Sequence, residues 1–334
     1  PSWDEPIWRA PAGNATATTH SDVPRALREG DNKDWASDAA YELIRKRWEA
    51  LQKSGYSEED LRDPSVARKA QGPAVEAADV ADDGYEDGKV TDAALSYLNS
   101  LPEESPFFLA VGFVTGHTPF RAPRRYFDLY DRAALRLPSW QEPPEGSPEW
   151  ASGDSEPAQY YTEHGYERPW RATEPESREL LHGHLAAASY VDAQIGRLVT
   201  ALEESGRYDE TIIVAVSDHG FHDGQHGYWG KHNLWDQSLR APLIIRLPRK
   251  GLPQELTSAG ERSEACVGKT ILGITEHVDI FPTLCDLCGL EIPPQIEGSS
   301  LVQPVANRDR ECKSATFAHR KHMWHDRIQA YEIA

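Results

Sequence analysis

Thr211-Ile212-Ile213-Val214-Ala215-Val216-Ser217-Asp218-His219-Gly220 is the stretch on which the reading of this chain turns. An apolar run of strand length passes, with one serine between, into a carboxylate and an imidazole. Strands buried on both faces read as continuous apolar runs and belong to sheets covered by helices. Upstream, Thr173-x-x-Glu176 has the form of a capping box, with Pro175 in the first turn. From there Leu181, Leu185, Ala188, Val191, Ile195, Leu198 and Leu202 step by three or four, which predicts one buried helical stripe ending before Gly206. Two further runs, Pro106–Phe113 and Ala241–Leu247, have strand length. Alternating helices and apolar strands predict an α/β fold with a parallel sheet between helices.

The flanks are less regular. Residues 1–34 read as an irregular surface stretch, Trp35–Lys53 and Gly88–Leu101 as helices, 64–88 as an acidic loop, and 138–175 as a long aperiodic insertion. The insertion carries Trp140, Trp150 and Trp170, which either stack on a sugar ring or simply pack. No apolar run approaches the roughly 20 residues needed to cross a bilayer. The formal charge of −19 argues against non-specific nucleic-acid binding, and an anionic substrate would need a local positive site. Cys285 and Cys288 lie in an apolar helical pattern and read as core residues; a disulfide with Cys266 or Cys312 stays open.

In open parallel sheets, ligands bind beyond the C-terminal strand ends. Two clusters stand there. Asp218 and His219 can share a cation, Gly220 lets the backbone turn away, and Gln225-His226-Gly227 and Gly230-Lys231-His232 follow. Lys231 is placed to neutralise an anionic substrate group. The competing reading is a helix-capping Asp218 with histidines as loop residues. The second cluster, Thr115-Gly116-His117-Thr118-Pro119-Phe120, follows the run 106–113, and alone its histidine reads as a structural group. His319, His322 and His325 have helical spacing, but Arg320, Lys321 and Arg327 oppose a cation there, and they read as surface residues.

Taken together, these segments resemble the sulfatase family, and its iduronate-2-sulfatase branch best. The resemblance rests on Phe107–Phe113 with His117-Thr118-Pro119-Phe120, Ser189–Leu198, Ser217-Asp218-His219-Gly220, Gly224-x-His226-Gly227, Gly230-Lys231, Ala241–Ile244 and Val278–Leu284. It implies an alkaline-phosphatase-like α/β fold: a mixed, mostly parallel sheet flanked by helices, with a smaller C-terminal region present in part. Residues 1–300 would then form the catalytic domain and 301–334 the start of a C-terminal subdomain or a divergent tail. It implies sulfate-ester hydrolysis, of a sulfated carbohydrate, with one Ca2+ held by Asp218 and His219. His117 and Lys231 would contact the sulfate and the leaving oxygen as catalytic and substrate-binding residues, with His226 and His232 as further substrate-binding candidates. It also implies an extracytoplasmic location and a small-molecule or glycan partner.

One feature of the family pattern is missing. The family nucleophile is a formylglycine made in a Cys/Ser-x-Pro-x-Arg motif, and no Cys or Ser here stands in that motif. The paired aspartates that complete the calcium site also have no counterpart. The expectation is a chain that begins inside a sulfatase and does not turn over substrate alone. The alternatives are a phosphodiesterase or phosphonate monoester hydrolase of the same superfamily, and a non-catalytic relative.

Overall fold

The computed structural model describes residues 22–28, 35–103, 105–148, 151, 155–161, 170–249, 251–258, 261–262, 267–307, 312–321 and 328–333. Four longer helices carry most of the regular structure: α1 (Asp38–Lys53), α2 (Glu86–Ser100), α3 (Glu174–Glu204) and α4 (Ile280–Leu287). Six short strands accompany them: β1 (Val75–Ala78), β2 (Phe120–Pro123), β3 (Ile213–Val216), β4 (His222–Asp223), β5 (Trp229–Gly230) and β6 (Leu243–Arg246). The chain divides into two compact units, one running to Ala201 and including His222–Gly230, the other made of Leu202–Phe221 and the residues from Lys231 onward.

In the first unit β1 and β2 pair in parallel, Val75 opposite Phe120 and Glu76 opposite Arg121. Sequence reading places a loop at β1, because a four-residue strand with a glutamate carries no apolar run. Glu76 is nevertheless buried, and its carboxylate accepts from Ala36 N and Ser37 N and from the hydroxyls of Ser37 and Tyr85. Ser37 in turn caps α1 by accepting from Ala40 N. Helix α1 buries Ala40, Tyr41, Ile44 and Trp48 on one face.

Helix α3 starts where the capping box predicts: Thr173 N and Oγ1 both donate to Glu176 Oε2, at 2.7 and 2.8 Å. Its buried stripe is not the predicted one. The fully buried positions are Leu180, Gly183, Ala186, Ala187, Tyr190 and Gln194, while Leu181, Leu185, Val191, Ile195 and Leu198 are half-buried and Ala188 is exposed. Small and polar residues hold the close face, which hydrophobicity alone does not reveal. A Cβ at Gly183 would lie 2.8–2.9 Å from atoms of Val75 and Phe120, so the helix approaches β1 and β2 only because this residue lacks one. Tyr190 and Gln194 are buried with partners: the Tyr190 hydroxyl donates to Asp82 O at 2.8 Å, and Gln194 Nε2 donates to Asp82 Oδ2 at 2.9 Å.

The run 106–113 also departs from expectation. It joins no ladder among the described residues, and its side chains alternate between half-buried and exposed, Phe108 being 66% exposed. Extended backbone turns successive side chains to opposite faces, so an apolar run can pack on one side only.

In the second unit β3 and β6 pair antiparallel, Ile213 opposite Arg246 and Val216 opposite Leu243. Expected to be covered on both faces, this pair leaves Val216 and Ile244 47% and 64% exposed. The adjoining core holds Leu247, Leu256, Leu287 and Val302, with Ile212 and Ile245 against it. Helix α4 buries Cys285, while Cys288 at its end is exposed; both are free thiols, as is Cys312, and Cys266 lies outside the described residues. Residues 316–321 and 328–333 form an antiparallel hairpin. His319 is in its first strand, whereas His322 and His325 lie outside the described residues. No described helix is long and apolar enough to cross a membrane.

Candidate functional site

The end of β3 is tied down on both sides. Ser217 N donates to Pro242 O at 3.2 Å, and His277 Nε2–H donates to Ser217 O at 2.8 Å. The Ser217 hydroxyl donates to His219 O at 2.8 Å, bending the chain into a tight turn. Gly220 N then donates to Ser238 O at 2.9 Å. A Cβ at Gly220 would collide with the carbonyl oxygen of Gln237, so glycine is needed here for close approach.

That turn fixes the chemistry of His219. Its Nδ1 lies 2.8 Å from Gly220 O, and a carbonyl only accepts, so Nδ1 carries the proton. The neutral ring therefore presents its lone pair at Nε2, the form in which imidazole ligates metals. Asp218 Oδ1 lies 3.4 Å from that Nε2, and the Asp218 side chain is 83% exposed. One hard oxygen and one nitrogen thus converge at the strand end with open space in front. Among the described residues no group of three His, Cys, Asp or Glu side chains forms a metal centre. Calcium takes about six to eight ligands, so Asp218 and His219 fit part of such a site.

Lys231 is half-buried and His232 exposed. Their loop is held by Asn233, which donates from its backbone to Lys231 O at 2.8 Å. The buried Asn233 side chain accepts from Ser238 Oγ at 2.7 Å and from Trp235 N at 3.1 Å. Ser238 thus anchors both the Gly220 turn and the Lys231 loop. Sequence reading missed Asn233, Ser238 and His277, since none falls in an apolar run or beside a carboxylate.

His117 belongs to the first unit. It is exposed, its backbone N donates to Val114 O at 3.1 Å, and its Nδ1–H donates to Thr118 O at 2.6 Å. Like His219, it presents Nε2 outward. The loop before it is held by Asp87, in the first turn of α2 and fully buried. Asp87 Oδ1 accepts from Val114 N at 2.9 Å and Oδ2 from Thr115 N at 2.8 Å. Next to it, the Tyr190 hydroxyl accepts from Gly88 N at 2.7 Å, and burial pushes the Tyr190 phenol far above its ordinary pKa, so it stays neutral. An acidic residue at a helix N-terminus is the only sequence signal Asp87 offers, and it does not separate a loop anchor from a dipole charge.

His226, also in the first unit, adopts φ 59° and ψ 19°, the left-handed region. Its backbone N donates to Trp140 O at 3.0 Å, and its ring lies 5.0 Å from the Trp140 ring. Nearby, His184 Nδ1 and Asp223 Oδ1 lie 2.6 Å apart, and the His184 ring stacks on Phe120 at 4.9 Å. So the structure brings Asp218 and His219 together, places Lys231 and His232 in the same unit, and places His117 and His226 in the other.

This fold of paired helices and mixed strands is alkaline-phosphatase-like, as its likeness to solved structures shows. A phosphonate monoester hydrolase from Silicibacter pomeroyi superposes with a TM-score of 0.57 at 26% identity, over 83% of this chain and 53% of that one. An enzyme solved in complex with its substrate D-glucosamine-2-N,6-O-disulfate superposes at a TM-score of 0.56 and 22% identity, covering 72% of this chain and 56% of that one. Residues 28–290 match the sulfatase family model, and the chain belongs to the sulfatase family. It is 31% identical over 265 residues to human iduronate 2-sulfatase, 71% of this chain and 48% of the relative. The chain spans about half the length of that relative.

Proposed function

We propose that this chain is the part of a sulfate-ester hydrolase that supplies Asp218 and His219 to a divalent-cation site and His117 and Lys231 to the substrate. The observation that carries the reading is the convergence of Asp218 Oδ1 and His219 Nε2, 3.4 Å apart, with the tautomer of His219 set by Gly220 O. The sulfatase family match supports the reaction class. The cation is calcium by family, and it would neutralise the sulfate oxygens and the charge that grows on them.

The remaining chemistry belongs to side chains. Hydrolysis cleaves the ester and leaves an alcohol and a sulfate, so negative charge accumulates on the bridging and non-bridging oxygens. Lys231 supplies a fixed positive charge to such oxygens. His117 offers Nε2, which when protonated donates to the departing alcohol oxygen. His226 and His232 take the role of further substrate contacts. The formylglycine nucleophile of the family has no precursor motif in these 334 residues, so in this reading another part of the protein supplies it. Sulfated carbohydrate is the substrate class, supported by the similarity to iduronate 2-sulfatase and to an N-acetylglucosamine-6-O-sulfatase of Bacteroides thetaiotaomicron. The same relatives support an extracytoplasmic site of action.

The likeness to a phosphonate monoester hydrolase favours a second reading, hydrolysis of phosphonate or phosphate esters at the same residues. The test is a side-by-side assay of the whole protein on a sulfate ester and a phosphonate monoester with one leaving group. Preferential sulfate release supports the first reading. Preferential phosphonate release sinks it.

A further inference from the structure

The three tryptophans of the segment 138–175 part company in the structure. Trp170 is buried and stacked on Tyr161, with centroids 5.3 Å apart and planes at 17°, so it packs. Trp150 lies outside the described residues. Trp140 is 48% exposed, which is unusual for so large an apolar ring unless it meets a ligand.

Its surroundings are rigidly built. The Trp140 carbonyl accepts from His226 N, and its ring leans on the His226 ring at 5.0 Å and 55°. His226 holds its left-handed backbone because Arg171 Nη1 donates to His226 O at 3.0 Å and to Gly227 O. Gly227, at φ 66°, has no room for a Cβ between Arg171 and the Gln141 carbonyl. A non-glycine residue held at positive φ costs about 1 kcal/mol or more, and such strain concentrates where a ligand is met. Gln141, the next residue after Trp140, also lines an open depression of about 690 Å³ with Leu135, Arg136, Leu137 and Arg178. Arg178 is already committed to Glu174 and to the carbonyls of Ala133 and Leu135. Arg136 is exposed and makes no hydrogen bond or ion pair among the described residues.

We infer that Trp140 and Arg136 form a subsite for an anionic pyranose of the substrate glycan, the sugar face lying on Trp140 and its carboxylate or sulfate meeting the Arg136 guanidinium. An indole face suits the C–H face of a sugar, and a planar guanidinium fork suits carboxylate and sulfate geometry. In a chain of net charge −19, an uncommitted arginine beside an open aromatic is the kind of local attraction such a ligand needs. This inference rests on the proposed function for its substrate class.

The test is a titration of the whole protein with a disaccharide carrying one sulfate and one uronate, read by ligand-observed NMR and therefore independent of turnover. Trp140→Ala and Arg136→Gln are each expected to raise Kd about tenfold, the factor that ~1.4 kcal/mol of lost contact gives. Trp140→Phe, which keeps an aromatic face, should stay within about threefold. A desulfated, carboxyl-reduced disaccharide should bind weakly and lose its dependence on Arg136. Kd values within twofold of wild type for both Trp140→Ala and Arg136→Gln would overturn the subsite. Absence of sulfate release from any ester would instead overturn the proposed function, while the titration still decides the subsite.

Discussion

Asp87 offers the sharpest test of how the His117 loop is held. Its two carboxylate oxygens take one backbone N–H each, from Val114 at 2.9 Å and Thr115 at 2.8 Å, and the group is fully buried. A hydrogen bond to a charged group contributes about 1.5–3 kcal/mol net, and an amide left unsatisfied costs a similar amount. Asp87→Ala removes both acceptors and should destabilise the unit by about 3–5 kcal/mol, a large share of the ~5–15 kcal/mol that holds a typical domain. Asp87→Asn keeps one acceptor and turns an NH2 toward the other amide, so a loss of about 2–3 kcal/mol is expected. Urea unfolding gives the totals, and amide hydrogen exchange gives the location. Protection at Val114 and Thr115 should collapse in both variants, while protection inside α1 falls only as far as global stability falls. In the whole protein, the loosened His117 loop should lower kcat more than it raises KM. Unchanged exchange at these two amides in Asp87→Ala would refute the reasoning.

Other substitutions separate packing from chemistry. Gly220→Ala should cost about 2 kcal/mol in urea unfolding, because the new Cβ meets backbone oxygens of Gln237 and Arg240 that have no side-chain freedom to move. Trp170→Ala should lose about 3–4 kcal/mol of stability, since the ring is buried on Tyr161. In the second unit, Lys313 Nζ lies 2.5 Å from Glu276 Oε2 and 2.8 Å from Asp279 Oδ1, and the hydrogen bond from Lys313 holds the Glu276 carboxyl below its ordinary value of 4.5. A depressed carboxylate stabilises the fold fully above its unfolded pKa and loses that contribution as pH falls through its folded value. Lys313→Met should therefore be least stable relative to wild type near neutrality, with the gap narrowing below about pH 4.5 in acid-unfolding curves.

The sequence made some elements legible because they carry unambiguous local chemistry. The Thr173–Glu176 capping box, the apolar run before Ser217 and the Asp218–His219 pair all stand where expected. What stayed hidden is long-range. β1 is four residues with a glutamate whose burial depends on donors near residue 36, some 40 positions away. The true buried stripe of α3 runs through Gly183 and Gln194, because closeness to β1 and β2 selects for small side chains and Asp82 supplies a buried amide partner. The apolar run 106–113 looked buried on both sides, yet composition does not say which face of an extended segment is covered. Around the site, the anchors Asp87, Asn233 and His277 are ordinary polar residues until the backbone brings their partners to them.

Calcium titration of the whole protein by calorimetry tests the account most directly. Wild type should bind one ion, and Asp218→Ala and His219→Ala should each weaken it at least tenfold, about 1.4 kcal/mol or more. His277→Ala, which touches only the carbonyl of Ser217, should weaken it less. Calcium held as tightly after both ligand substitutions as before would contradict the claim that this strand end is a cation site.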